Sequence, residues 1–118
     1  MNAPESRGHP TNQLDDLVHQ RGRLGILSIL ADSQQADFSY LKRLLQLTDG
    51  NLGRHIEILT EQGLVTTTKG YQGKRPRTWV AITEEGRSAL ANEIAALKQL
   101  IEHFERSQHT RQPHHDHR

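Results

Sequence analysis

The sequence predicts a mainly α fold with one small β-hairpin (α+β), closed by a long C-terminal helix. Three observations predict it. Apolar residues recur at helical spacing in successive stretches separated by polar or glycine-bearing joints. A single pair of threonine-bearing segments, Leu64 to Lys69 and Thr78 to Ile82, reads as two strands around the loop GYQGKRP. The last stretch carries Leu90, Ile94, Leu97, Ile101 and Phe104, a narrow apolar seam repeating every three or four residues.

Taken in order, residues 1–12 hold Pro4, Gly8 and Pro10 among polar residues and read as a disordered tail. The folded domain then spans residues 13–106. A first helix is expected from Leu14 to Ala31, with Leu17, Leu24, Leu27 and Leu30 inward. Gly22 and Gly25 weaken it, which points to a break or a close helix contact. Asp32 to Asp37 reads as a polar connector, and Phe38, Leu41, Leu44 and Leu45 mark a short helix after it. Thr48 or Asp49 is suited to cap the next helix, and Gly63 to end it in a left-handed conformation. Thr83 caps the final helix, where Glu84 and Glu85 oppose the positive end of its dipole. That helix is expected over residues 84–106, followed by a disordered, histidine-rich tail over residues 107–118.

With 118 residues, 33% of them hydrophobic, the chain suffices for one modest domain with a small core. It has no cysteine, which excludes a disulfide-stapled fold and any cysteine-based zinc or nucleophile site. The N-terminus lacks the apolar run of a signal peptide, and Leu24 to Ala31 is far too short to span a bilayer. A cytoplasmic protein without membrane partners is expected. Catalysis finds no support: there is no glycine-rich phosphate loop after a strand and no H-E-x-x-H, so the chain reads as a non-enzyme.

The formal net charge is only +1, yet the charge is segregated. Between Glu61 and Glu84 no acid occurs, while Lys69, Lys74, Arg75 and Arg77 all fall there. A short helix, a tight turn and a second helix form the helix-turn-helix plan, in which the second helix enters the major groove of DNA. The hairpin with its cationic tip is then a wing. Projected at 100° per residue, Leu52, Ile56 and Leu59 point one way and Gly50, Asn51, Arg54, Glu57, Ile58 and Glu61 the other. Asn51 and Arg54 carry the side chains that fork onto adenine and guanine edges, whereas Glu57 and Glu61 would be repelled by phosphate. Only the first two turns therefore suit the groove. Gly50 and Gly53 each weaken a helix by about 1 kcal/mol against alanine. That loss makes sense where a side chain would hold the helix off a duplex.

The stretches LTDGNLGRHIEILTEQGLV, KGYQGKRPRTWVAIT and TEEGR, in this order and spacing, resemble the compact winged helix-turn-helix transcriptional regulators of the MarR-like type. The resemblance covers Leu14 to Arg106. It implies a sequence-specific regulator, a repressor, that binds double-stranded DNA as a homodimer. By the same resemblance Thr48, Asn51 and Arg54 approach DNA from the recognition helix, and Lys74, Arg75 and Arg77 from the wing. Gly53 departs from the family pattern, where many relatives carry serine.

The seam of Leu90, Ile94, Leu97, Ile101 and Phe104 supports the dimer. A helix of about 23 residues is about 34 Å long, more than a small body covers. The competing reading packs that seam on the chain's own first helix. Trp79 and Tyr71 are a poor platform for base stacking, and Trp79 reads as a packing residue. His109, His114, His115 and His117, with Asp116, allow a metal-responsive repressor as an alternative, but a flexible tail fixes no geometry. His19 and His55 read as packing or capping groups. No cofactor is implied. The remaining alternative is a winged helix that uses the same surface for a partner protein. Neither an operator nor an effector ligand is legible in the residues.

Overall fold

The computed structural model describes residues 8–116, with side chains through His109. The expected tails therefore lie partly outside it, at residues 1–7 and 117–118. Within it, Pro10–Gln13 form a 3-10 turn instead of a disordered tail. Pro10 opens the turn, His9 accepts the Thr11 N–H at 3.2 Å, and the His9 ring rests edge-on against His103 at 5.2 Å.

The single helix expected from Leu14 is two. Helix α1, Asp16–His19, is capped by Asp15, which accepts the Leu17 N–H at 2.9 Å. Helix α2, Arg21–Ser33, restarts after Gln20, whose side chain accepts the N–H groups of Gly22 and Arg23. A glutamine cap inside an apolar repeat leaves little trace in periodicity. Both glycines of α2 are close-contact positions. A Cβ on Gly22 would lie 2.6 Å from the His55 ring, and one on Gly25 2.6 Å from Leu45 Cδ2.

The expected connector hides a strand. Strand β1, Gln35–Asp37, follows Gln34, which adopts a φ of 71°. Three polar-flanked residues show no alternation, so the strand declares itself only through its pairing. Helix α3, Phe38–Leu45, lies where the apolar spacing put it. Helix α4, Asp49–Glu61, is capped by Thr48, whose hydroxyl oxygen accepts the Asn51 N–H at 3.1 Å. Gly63 follows at φ 76°, the left-handed conformation that glycine adopts without penalty.

Strands β2, Val65–Gln72, and β3, Arg75–Ile82, are longer than their threonine-rich cores suggest. The hairpin closes on Gly73 and Lys74, with Gly73 at φ 65°. The expected loop Gly70 to Pro76 is thus mostly ladder. Pro76 pairs with Tyr71 on a part of β3 that β1 does not reach, where its missing N–H is tolerated. The sheet is antiparallel throughout, in the order β1-β3-β2.

Helix α5, Glu84–Asp116, starts at a dense junction. The Thr83 hydroxyl accepts the Gly86 N–H at 2.9 Å and donates to the Gly63 carbonyl at 2.7 Å. Arg87 reaches the Ala31 carbonyl at 3.2 Å. The helix continues past Arg106 to Asp116, so residues 107–116 are helical, not disordered as Pro113 and the crowded histidines suggested. No glycine follows Gly86, and Glu, Arg and Gln are good helix formers. The backbone therefore runs on after the apolar residues stop.

Val18, Ile26, Leu27, Leu30, Leu41, Leu52, Leu59, Val65, Val80 and Leu90 make one core. Glu93 is buried on the inner face of α5, where its carboxylate accepts the Asp15 N–H at 2.9 Å and meets His19 Nδ1 at 2.6 Å. Both oxygens are thereby satisfied, as a buried carboxylate requires. Leu90 is the part of the seam that joins this core. Ile94, Ile101 and Phe104 do not, and the last two are 54% and 60% exposed. Among the described residues no helix is long and apolar enough to cross a membrane.

Candidate nucleic-acid interface

Helix α4 buries Leu52, Ile56 and Leu59 and presents its other side to solvent. Thr48, Asn51 and Arg54 are all exposed on that side, in the first two turns. Thr48 serves as the cap, so its position is set by the backbone it satisfies. Glu57 and Glu61 are exposed further along, while Ile58 is half-buried and so departs from the outward position expected for it. Gly50 and Gly53 have nothing within 4 Å of where a Cβ would stand. The fold itself makes no use of their bareness.

Behind this face sits His55. Its ring covers Gly22, and its Nδ1 is buried without a hydrogen-bond partner. Burial first, and then the cations of Arg23, Arg21 and Arg54, hold its pKa below the ordinary histidine value. A neutral ring is the form that fits there. His55 is therefore the packing group expected, and His19 the partner of Glu93.

In the wing, Lys74 and Arg75 are exposed at the hairpin tip. Arg77 is different. Its guanidinium is half-buried and paired with the Asp37 carboxylate, so it is not a free cation like its neighbours. Spacing along a loop groups the three cations but cannot show which of them meets an acid forty positions away. Trp79 is half-buried in the sheet opposite Asp37 and Thr68, as a packing residue should be, and Tyr71 is exposed.

Between α3 and the wing runs an open groove of about 550 Å³, lined by Asp37, Phe38, Ser39, Arg43, Arg75, Pro76, Arg77 and Thr78. Arg43, exposed and stacked 5.5 Å from the Tyr40 ring centroid, adds a cation that the sequence reading passed over. Its signal was its place on the side of the helix away from Phe38, Leu41 and Leu45; Leu44, expected with them, is exposed. Lys42 is paired with Asp49 at 2.9 Å across the turn, an exposed ion pair of little weight. Arg43 on α3 and Arg75 on the wing line this groove together, and Arg54 on α4 and Lys74 at the hairpin tip are exposed; none of the four forms an ion pair with an acid among the described residues. Such a surface attracts phosphate, and the forked side chains of Asn51 and Arg54 match base edges.

Among the described residues no group of three or more His, Asp or Glu side chains is placed to hold a metal ion. Of the tail histidines only His109 has a described side chain; His114, His115 and His117 lie outside the described side chains.

A family model described as a winged helix DNA-binding domain matches residues 23–101. An uncharacterized protein of Methanocaldococcus jannaschii is 41% identical over 83 residues, which is 70% of this chain and 90% of that protein. The structure of a transcriptional regulator homologue from Pyrococcus horikoshii superposes with a TM-score of 0.69 at 38% identity, covering 75% of this chain and 87% of the other. A MarR family transcriptional regulator from Silicibacter pomeroyi shares the fold at 16% identity, with a TM-score of 0.59 over 86% of this chain and 67% of its own. The chain belongs to the winged helix DNA-binding domain family, with a MarR-like fold.

Proposed function

From membership of the winged helix DNA-binding family we propose that this protein is a cytoplasmic, sequence-specific transcription regulator that binds double-stranded DNA as a homodimer and represses by occupying promoter DNA. The observation that carries the reading is the bare start of α4. Gly50 and Gly53 face open space, yet glycine inside a helix is a loss that nothing in the fold repays. Flanked by Asn51 and Arg54, they let the helix backbone approach a duplex closely. In this reading Thr48, Asn51 and Arg54 face the major groove, and Lys74 and Arg75 reach phosphate or the adjacent minor groove.

The dimer rests on the seam. Helix α5 has 33 residues, and its Ile94, Ile101 and Phe104 are exposed along one edge. A second copy laid along that edge removes them from water and sets two recognition helices about one DNA turn, or a multiple of it, apart. Ile101→Glu is expected to convert a dimer to a monomer in analytical ultracentrifugation, and an unchanged mass would remove the seam from the interface.

Salt tests the DNA reading. With roughly 6–10 phosphate contacts, affinity for a selected fragment should fall about 10³–10⁵-fold between 50 and 200 mM salt. Binding that ignores salt would mean that the cationic face is not the DNA face.

A further inference from the structure

We infer that Asp37 is a positioning residue for DNA binding, a strut that sets the wing against the helix-turn-helix through Arg77. The inference rests on the duplex-binding reading above and adds to it a residue outside the contact surface. Asp37 ends β1 and begins α3, and its two carboxylate oxygens serve different elements. Oδ1 accepts the Tyr40 N–H at 2.7 Å and caps α3, while Oδ2 takes Nη1 of Arg77. The two side chains are 14% and 27% exposed, so the pair is only partly screened by water.

Topology shows why this matters. Strand β1 pairs with β3 only at Trp79, Val80 and Ala81. From Thr78 outward β3 pairs, among the described residues, with β2 alone, and the wing is a two-stranded ribbon. Such ribbons twist readily and are marginal alone. Arg77 lies two residues beyond the last paired position, on the free part of β3, and ties that part back to α3. Its neighbours in the groove, Arg43 and Arg75, are cations, so Asp37 is the acid that anchors the ribbon there. A wing held at one angle loses less freedom when it docks.

The rival role for Arg77 is direct phosphate contact, with Asp37 as a competitor. The two roles give opposite signs for one substitution. Asp37→Asn keeps a good helix cap, removes the ion pair and makes the protein more positive by one charge. A competitor's removal tightens binding, whereas a strut's removal weakens it.

The test measures binding of the full-length protein to its selected duplex between 50 and 200 mM salt. Asp37→Asn and Arg77→Gln are each expected to weaken binding about tenfold at the same salt, and the double variant no further, because coupled residues do not add. Arg77→Lys, which keeps a cation for the pair, should restore most of the affinity. The log–log salt slope should shrink by about one in Asp37→Asn as wing cations disengage. Asp37→Ser, which also caps a helix and removes the ion pair, is expected to weaken binding alike and reads the strut if Asp37→Asn folds poorly. Tighter or unchanged binding by Asp37→Asn, or additive losses in the double variant, would overturn the strut while wild-type binding stands. Absence of salt-dependent wild-type binding would instead overturn the duplex reading, and this inference with it.

Discussion

Gly86 and Gly53 lie in helices of one small domain and are glycine for opposite reasons. At Gly86 a Cβ would collide with the Leu64 carbonyl oxygen and lie 2.8 Å from Ile82 Cγ1, so the fold consumes the missing side chain. At Gly53 a Cβ would meet nothing within 4 Å. One junction is crowded by its own chain, and the other is bare toward solvent. The first kind of glycine holds the start of α5 against the wing's base, where Thr83 and Arg87 also bind backbone carbonyls. The second kind weakens a helix without any internal return, which directs attention to an external partner.

The largest expected effect breaks the crowded side. Gly86→Ala pits a methyl group against backbone that cannot swing aside, and should destabilise the domain by about 3 kcal/mol or more. Denaturant unfolding checks this, and a loss under about 1 kcal/mol would mean that the junction relaxes easily. Gly22→Ala should fall short of that, because the His55 ring in its way is a side chain that can move.

Gly53→Ala should do the reverse. It is expected to stabilise the domain by about 0.5–1 kcal/mol, since alanine favours helix and no neighbour objects. At the same time affinity for DNA should fall. A variant that is both more stable and binds as well as wild type would strip Gly53 of functional meaning.

The smallest effect concerns His55, whose ring covers Gly22. Its pKa is lowered in the folded protein, so the unfolded chain binds more protons as the pH falls below the ordinary histidine value of 6.5. Stability should therefore be unaffected by this group above that pH and decline below it. The sign follows from a neutral ring being the form the fold accepts. Comparing wild type with His55→Gln at pH 7.5 and 5.5 isolates the contribution. An equal acid loss in both would clear His55 of it.

These contrasts also show what a one-dimensional reading captures. The outward places of Asn51 and Arg54 follow from helical periodicity, because burial of Leu52, Ile56 and Leu59 forces the remaining residues out, while Thr48 came with the family resemblance. The cap at Thr48 and the left-handed Gly63 follow from local chemistry. Strand β1 and the Asp37–Arg77 pair were not legible, since a three-residue strand has no period and the pair joins distant segments. The buried Glu93–His19 contact escaped for the same reason, whereas Gly22 and Gly25 pointed to a break or a close contact in the first helix, and the break falls at Gln20. The continuation of α5 to Asp116 was missed because Pro113 and the crowded histidines read as a tail, although helix-forming residues run on after apolar spacing stops. Open space at Gly53 was visible only as an oddity in sequence; coordinates turned it into an absence of neighbours.

The most direct test of the duplex-gripping surface is selection of bound fragments from the source genome, run in parallel with wild type and Arg54→Ala. Wild type should enrich a two-part site whose halves repeat about 10–10.5 base pairs apart, or a multiple of that. Arg54→Ala should keep binding but lose preference at one base pair in each half, at about 1–3 kcal/mol per site. The same enriched sequence with both proteins, or none with wild type, would contradict the placement of α4 in the groove.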